Sequence, residues 1–269
     1  MSRTLQAPSM QRMKLLAVNA AWLIVPFLVV GTIWEIVARA GIFQPKLFPS
    51  LVTIFDAFVR LSVSGVLWAH TEGTLVRLAL GFLLAAVVGV LLGIAMGRYR
   101  FAEDVFLPLV SIGYPIPGLA YAPLFVLWFG LGDLPTILLV GVASSFAVII
   151  NTWKGVRAVK QVWIRAAEVM GATDRQLFRK VILPGALPYI LTGMRLGLAQ
   201  AWRILVAVEM LTAVPKGLGW MIFGAQEFLN TDVMLAGVAA IGVIGLLLEK
   251  QVFERVERYT VVRWGMLTA

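Results

Sequence analysis

The chain contains no cysteine and a single histidine among its 269 residues. The first absence excludes disulfides, Cys-ligated zinc and thiol catalysis; the second leaves no ligand cluster, so neither a metal site nor a cofactor is expected. Charge is scarce as well, with Asp, Glu, Lys and Arg making up 14% of the residues, too little for a soluble domain of this length. There is no G-x-x-x-x-G-K-[ST] phosphate loop and no Gly-Lys pair anywhere, so the chain does not hydrolyse ATP as a P-loop ATPase does. Zincin motifs, a G-x-S-x-G elbow and paired intramembrane carboxylates are also missing, which leaves a membrane-embedded hydrolase without support and an enzyme unexpected.

What is present is hydrocarbon. Hydrophobic residues make up 60% of the chain and the mean hydropathy is +0.90, values of an integral membrane protein. Apolar runs at about 16–39, 76–97, 104–130, 134–153, 186–211 and 233–249 are each near or above the roughly 20 residues that cross a bilayer. The expected fold is all-α and polytopic, with six spans between a segment 1–15 and a tail 250–269. The first run is too long for a signal-peptide core and lacks a small-residue cleavage site, so it reads as a retained span. A net charge of +9 suggests nucleic acid at first sight, but the charges sit between apolar runs rather than on one surface. They follow the positive-inside rule instead. Arg3, Arg12, Lys14, Arg98, Arg100, the seven Lys and Arg from Lys154 to Lys180, and Lys250, Arg255, Arg258 and Arg263 fall on one side; Lys46, Arg60 and Lys216 fall on the other. Sixteen against three places both termini in the cytoplasm.

Several features interrupt the spans. Outside, Leu51, Ile54, Phe55, Phe58 and Leu61 follow helical spacing behind Ser50, a suitable N-cap, and read as an interfacial helix packed on the bundle rather than one with a direct role in substrate capture. His70 beside Glu72 reads as a solvated loop residue. Gly89, Gly93 and Gly97, and again Gly193 and Gly197, form small-residue steps for close helix packing, within one subunit or across a dimer. Pro115, Pro117 and Pro123 with Gly113 and Gly118 break the third run, so SIGYPIPGLAYAP is either a kink or a translocation-path segment with Tyr114 and Tyr121 lining it. The fifth run carries Arg195, Arg203 and Glu209. The two arginines are eight apart and share a face within about 80°, where they act as structural donors or as part of a path; Glu209 either pairs with a base or reaches water. GWMIFGAQEFL after Gly217 reads as a re-entrant stretch, and EKQVFERVERYTVVRW as an anchoring tail.

The least ordinary stretch runs from Arg165 to Pro188. Thr173 and Gln176 have capping-box spacing, so a helix is expected from Asp174 to the Pro184 break, following a turn at Gly171. Leu177, Phe178 and Val181 recur between Arg175, Arg179 and Lys180, an apolar stripe that wants either a partner or a membrane surface.

This stretch resembles the EAA loop of bacterial ABC-importer permeases. Ala166, Ala167, Gly171, Val181, Leu183 and Pro184 fall in register, and Phe178 and the trailing Gly185, Ala186, Leu187 and Pro188 fit as well. Arg165 departs from the usual Glu, while Glu168 lies three residues on, along the same helical face. FGLGDLPTILLV, LTGMRLGLAQAWRILVAVEML and GLGWMI are similar to the nitrate, sulfonate and taurine group. The resemblance implies a six-span inner-membrane permease that dimerises. It implies docking of two cytoplasmic ATPase subunits on a coupling loop at 154–185, with Arg165, Ala166, Ala167, Glu168, Gly171, Ala172, Leu177, Phe178, Leu183 and Pro184 as the contact set. A periplasmic binding protein would deliver a small anion, or another small molecule such as a vitamin precursor. An ion-coupled secondary carrier fits less well, since it needs no docking loop, the sequence shows no inverted repeat, and buried acids for a relay are nearly absent.

Overall fold

The computed structural model describes residues 10–253, with side chains from residue 24 to residue 251; it is helical, with no strand among the described residues. Eleven α-helices follow in order: α1 Met10–Arg39, α2 Leu51–Val63, α3 Val66–Arg98, α4 Arg100–Gly113, α5 Ala122–Phe129, α6 Asp133–Arg157, α7 Gln161–Val169, α8 Asp174–Leu177, α9 Leu183–Glu209, α10 Leu218–Glu227 and α11 Thr231–Leu247. Helix α3, helix α6, the continuous helix 174–209 and the helix 231–251 are each long and apolar enough to cross a membrane. The pair 100–113 and 118–129, bent by 97°, makes a fifth candidate if counted as one broken span. Helix α1, 30 residues long, starts six residues before the apolar run that announced it. The segment 1–9 and most of the tail, with Arg255, Arg258 and Arg263, lie outside the described residues.

Helix α6 is the most enclosed of the spans, and glycine is the reason its neighbours come so close. Gly89, Gly93 and Gly97 of α3 face Val148, Thr152 and Val156 of α6, so that an added Cβ would stand 2.5–2.6 Å from a Cβ of each partner. From the other side Gly193 and Gly197 of α9 meet Asn151 and Val148. These steps therefore pack helices within one subunit. Gly93→Val should cost about 1–3 kcal/mol through overpacking, because both Thr152 and the Ile149 carbonyl are in the way. Gly224→Ala in α10, with nothing within 4 Å, should be neutral or stabilising by up to about 1 kcal/mol. Thermal melts of the purified subunit compare the two; Gly93→Val melting at or above the wild type would refute this packing.

Local signals held where a side chain closes its own hydrogen bond. Ser50 caps α2 through Thr53 N–H at 3.2 Å, and the Thr173–Gln176 capping box is complete in both directions. Pro115 and Pro117 end α4 and leave a short 3-10 turn, 118–121, before α5. Two expectations need correction. His70 lies in the second turn of α3 rather than in a solvated loop, half-buried, with Nδ1 2.8 Å from the Gly217 carbonyl and 3.0 Å from its N–H. Pro184 does not end the short helix: α8 runs through a π turn, Phe178–Ile182, into α9. The Leu183 N–H bonds the Phe178 carbonyl five residues back, and Pro184 then sits in the first turn of α9, where its missing N–H is tolerated.

Candidate docking and translocation sites

Two short helices, α7 and α8, hang at one end of the bundle, joined by a turn whose geometry is fixed by Gly171. Its φ of +76° lies in the left-handed region, the Ala172 N–H reaches the Ala167 carbonyl at 3.0 Å, and the Gly171 N–H reaches the Glu168 carbonyl at 2.9 Å. Together these form a Schellman motif, which satisfies the end of α7 and fixes the direction in which the chain leaves it. Ala167, Leu177 and Ile182 are buried in a small core shared with Val156 of α6, Ala186 of α9 and Val159 in the connection after α6, with Ala172, Phe178, Val181 and Leu183 packed against it. That core anchors the loop to the bundle. What it leaves outside is apolar: Val162, Trp163, Val169 at 89% exposure and Met170 at 80%. Arg165, Ala166 and Glu168 are exposed on the same helix, and Pro184 is half-buried. Arg98 at the end of α3 pairs with Asp174 of α8 at 3.4 Å, and Arg157 of α6 pairs with Glu103 of α4.

The side chains proposed from sequence for a path are not gathered into one cavity. Tyr121 lines an apolar groove between α3, α4 and α6, with Tyr114, Pro115 and Pro117 exposed at the bend beside it. Arg195 and Arg203 line a different groove, of about 460 Å³, between α9 and α11, as their shared face requires. Arg195 pairs with Glu249 at 3.1 Å, and Arg203 Nε donates to the Ala199 carbonyl at 3.1 Å.

Glu209 lines neither groove. It is fully buried at the opposite end of the bundle from α7, where Oε1 accepts from Arg77 Nη1 at 2.8 Å and Oε2 accepts from Thr74 Oγ1 and the Gly219 N–H, each at 3.0 Å. Of the two fates open to it, pairing with a base is the one realised. Arg77, only 5% exposed, also donates through Nε to Asp133 at 2.6 Å, and Thr74 Oγ1 accepts the Leu218 N–H at 2.9 Å. The cluster joins α3, the first turn of α6, the end of α9 and the start of α10. Gly219 belongs to it by necessity, since a Cβ there would stand 2.1 Å from the Val206 carbonyl. Sequence reading missed Arg77. The available signal was charge accounting: a carboxylate near the end of the fifth apolar run needs a cation, and Arg77, near the matching end of the second, is placed to supply it.

Among the described residues no group of three or more His, Asp or Glu is placed to hold a metal. Residues 85–249 match the family model for the binding-protein-dependent transport system inner membrane component. The taurine transport system permease protein TauC of Escherichia coli is 40% identical over 223 residues, 81% of each chain. The aliphatic sulfonates transport permease protein SsuC of Bacillus subtilis is 36% identical over 242 residues, 90% of this chain and 86% of that one. In fold, the chain is similar to the MetNI methionine ABC transporter in an inward-facing conformation, with a TM-score of 0.56 and 22% identity over 77% of this chain and 97% of that one. It is also similar to an amino acid ABC transporter, with a TM-score of 0.58 and 20% identity over 74% and 97%. With most of its length matched by that model and by permeases of this kind, the chain belongs to the family of binding-protein-dependent transport system inner membrane components, the permeases of ABC transporters.

Proposed function

We propose that this permease forms the translocation path of an importer for small sulfonates, taurine among them. Two copies work by alternating access, ATP is hydrolysed on two separate cytoplasmic subunits, and a periplasmic binding protein delivers the solute. The observation that carries the reading is the α7–α8 loop: a rigid turn anchored by its own small core, presenting Val169 and Met170 almost fully to the outside, at the end of the bundle where positive charge collects. Exposed apolar tips on an ordered loop suit insertion into a partner's cleft. The contact set is Arg165, Ala166, Ala167, Glu168, Gly171, Ala172, Leu177, Phe178, Leu183 and Pro184, with Ala167 and Leu177 acting from beneath by holding the loop. The path is proposed to run along the bend at Tyr114–Tyr121 and the arginine face of α9. The sulfonate class is supported by the names of the two curated relatives and by that arginine face.

The topology that goes with this reading has six spans in the bacterial inner membrane, α1 being the first, with both termini in the cytoplasm. Single cysteines introduced by Lys160→Cys and Arg60→Cys test it. Only Arg60→Cys should label with an impermeant thiol reagent in intact cells, and the loss of its exposed pair with Asp232, 3.2 Å apart, should cost little. Labelling of Lys160→Cys from outside would reject the orientation. The substrate is tested by uptake: cells expressing the complete importer should accumulate labelled taurine or a short alkanesulfonate, and failure with every sulfonate tried would reject the class.

A further inference from the structure

The groove between α9 and α11 holds hydrogen-bond donors that no described residue uses. The Arg203 guanidinium is oriented by its Nε bond to the Ala199 carbonyl, which leaves both Nη groups without an acceptor or a carboxylate among the described residues. Next to it on the helix, the Trp202 indole N–H also has no acceptor among the described residues, and Gly245 of α11 makes room for that ring: a Cβ there would stand 2.8 Å from Nε1. Gly242, one turn away, keeps the same wall low. An arginine inside a span, here six residues before the end of α9, is expensive unless something compensates it, and a two-pronged guanidinium face is the shape that receives an oxyanion. About 12 Å nearer the α7 end, two helical turns along α9, the same groove carries Arg195 with Glu249 already on it. Glu249 is delivered there by the π turn, Leu248–Phe253, that follows α11, and both members of this pair stay accessible.

We propose that this groove is a binding site for a small oxyanion, in which Arg203 and Trp202 donate to the anion and Glu249 competes with it for Arg195. The proposal rests on the sulfonate-importer reading for the identity of the anion and adds the residues that hold and release it. An anion leaving Arg203 for the α7 end meets an arginine that carries an internal carboxylate. It is taken up by displacing Glu249 and let go when Glu249 returns, so the pair acts as an inner latch that opens only to a species of its own charge.

Because the chain has no cysteine, Leu246→Cys places a single thiol in the permease at the groove wall. In the permease purified with its ATPase subunits, the rates of reaction with an anionic sulfonatoethyl and a cationic trimethylammonioethyl methanethiosulfonate are compared, each normalised to free mercaptoethanol. The anionic reagent should be preferred by about tenfold, as expected for one uncompensated charge at close range in a partly hydrated site. Arg203→Gln should remove most of the preference, Glu249→Gln should raise it, and methanesulfonate should slow the anionic reagent alone. Equal normalised rates, or a preference that neither substitution moves, overturns the site. Taurine uptake separates this from the broader reading: a charge preference without uptake of any sulfonate leaves the anion site and removes the sulfonate importer, and uptake without the preference does the reverse.

Discussion

Glu209→Ala should lower the melting temperature of the detergent-purified subunit by about 10 °C, with Arg77→Met close behind. Glu209 is fully buried and accepts from Arg77, Thr74 and the Gly219 N–H. Removing the carboxylate leaves a guanidinium at 5% exposure with Asp133 alone, and strands two further donors. Breaking one partner of a buried ion pair typically costs about 3–5 kcal/mol, because the charge that remains has neither water nor partner. In a chain of this size each kcal/mol moves the transition by about 2–4 °C. The double substitution Arg77→Met with Glu209→Ala removes both charges, so it should lose less than the two single effects added together, by roughly 2 kcal/mol. Single variants melting within a degree or two of the wild type, or strictly additive losses, would show that the cluster is not a coupled unit.

The position of this cluster explains why part of the molecule was readable from sequence and part was not. Features closed by neighbours along the chain were legible: Ser50 on Thr53, the Thr173–Gln176 box, the Pro115 and Pro117 break, and the turn at Gly171 all depend on a few consecutive residues. Glycines at four-residue spacing announced close packing but not its partner, since whether Gly93 faces its own chain or a second copy depends on where α6 lies. His70 and Glu209 have their partners 147 and 132 residues away, at Gly217 and Arg77, distances over which no periodicity carries information. Pro184 misled for a different reason. A proline predicts the loss of one hydrogen bond, and the chain met that loss by widening the preceding turn to π geometry rather than by stopping. The arginines at 195 and 203 were placed on a common face from spacing alone, and they do share a groove; that Glu249 occupies the nearer one depends on the π turn after α11, which leaves no mark in the hydrophobic pattern.

The most direct test of the central claim, that this is a permease driven through the α7–α8 loop, is recovery of the ATPase subunit with the solubilised permease. Gly171→Val forces a β-branched residue into φ +76°, a penalty of about 1–2 kcal/mol, and disturbs the turn that aims α8 away from α7. Nothing lies within 4 Å of a Cβ at that position, so the strain stays in the turn and the bundle itself should still fold. Glu168→Ala removes an exposed carboxylate; if it takes over what Arg165 cannot do, this substitution should weaken association more than Arg165→Ala does. At about 1.4 kcal/mol per tenfold in affinity, Gly171→Val and Glu168→Ala together should reduce ATPase recovery at least tenfold, while the melting temperature of the permease falls by no more than the roughly 2–8 °C that the turn penalty accounts for. Full recovery of the ATPase with the doubly substituted permease would contradict the account.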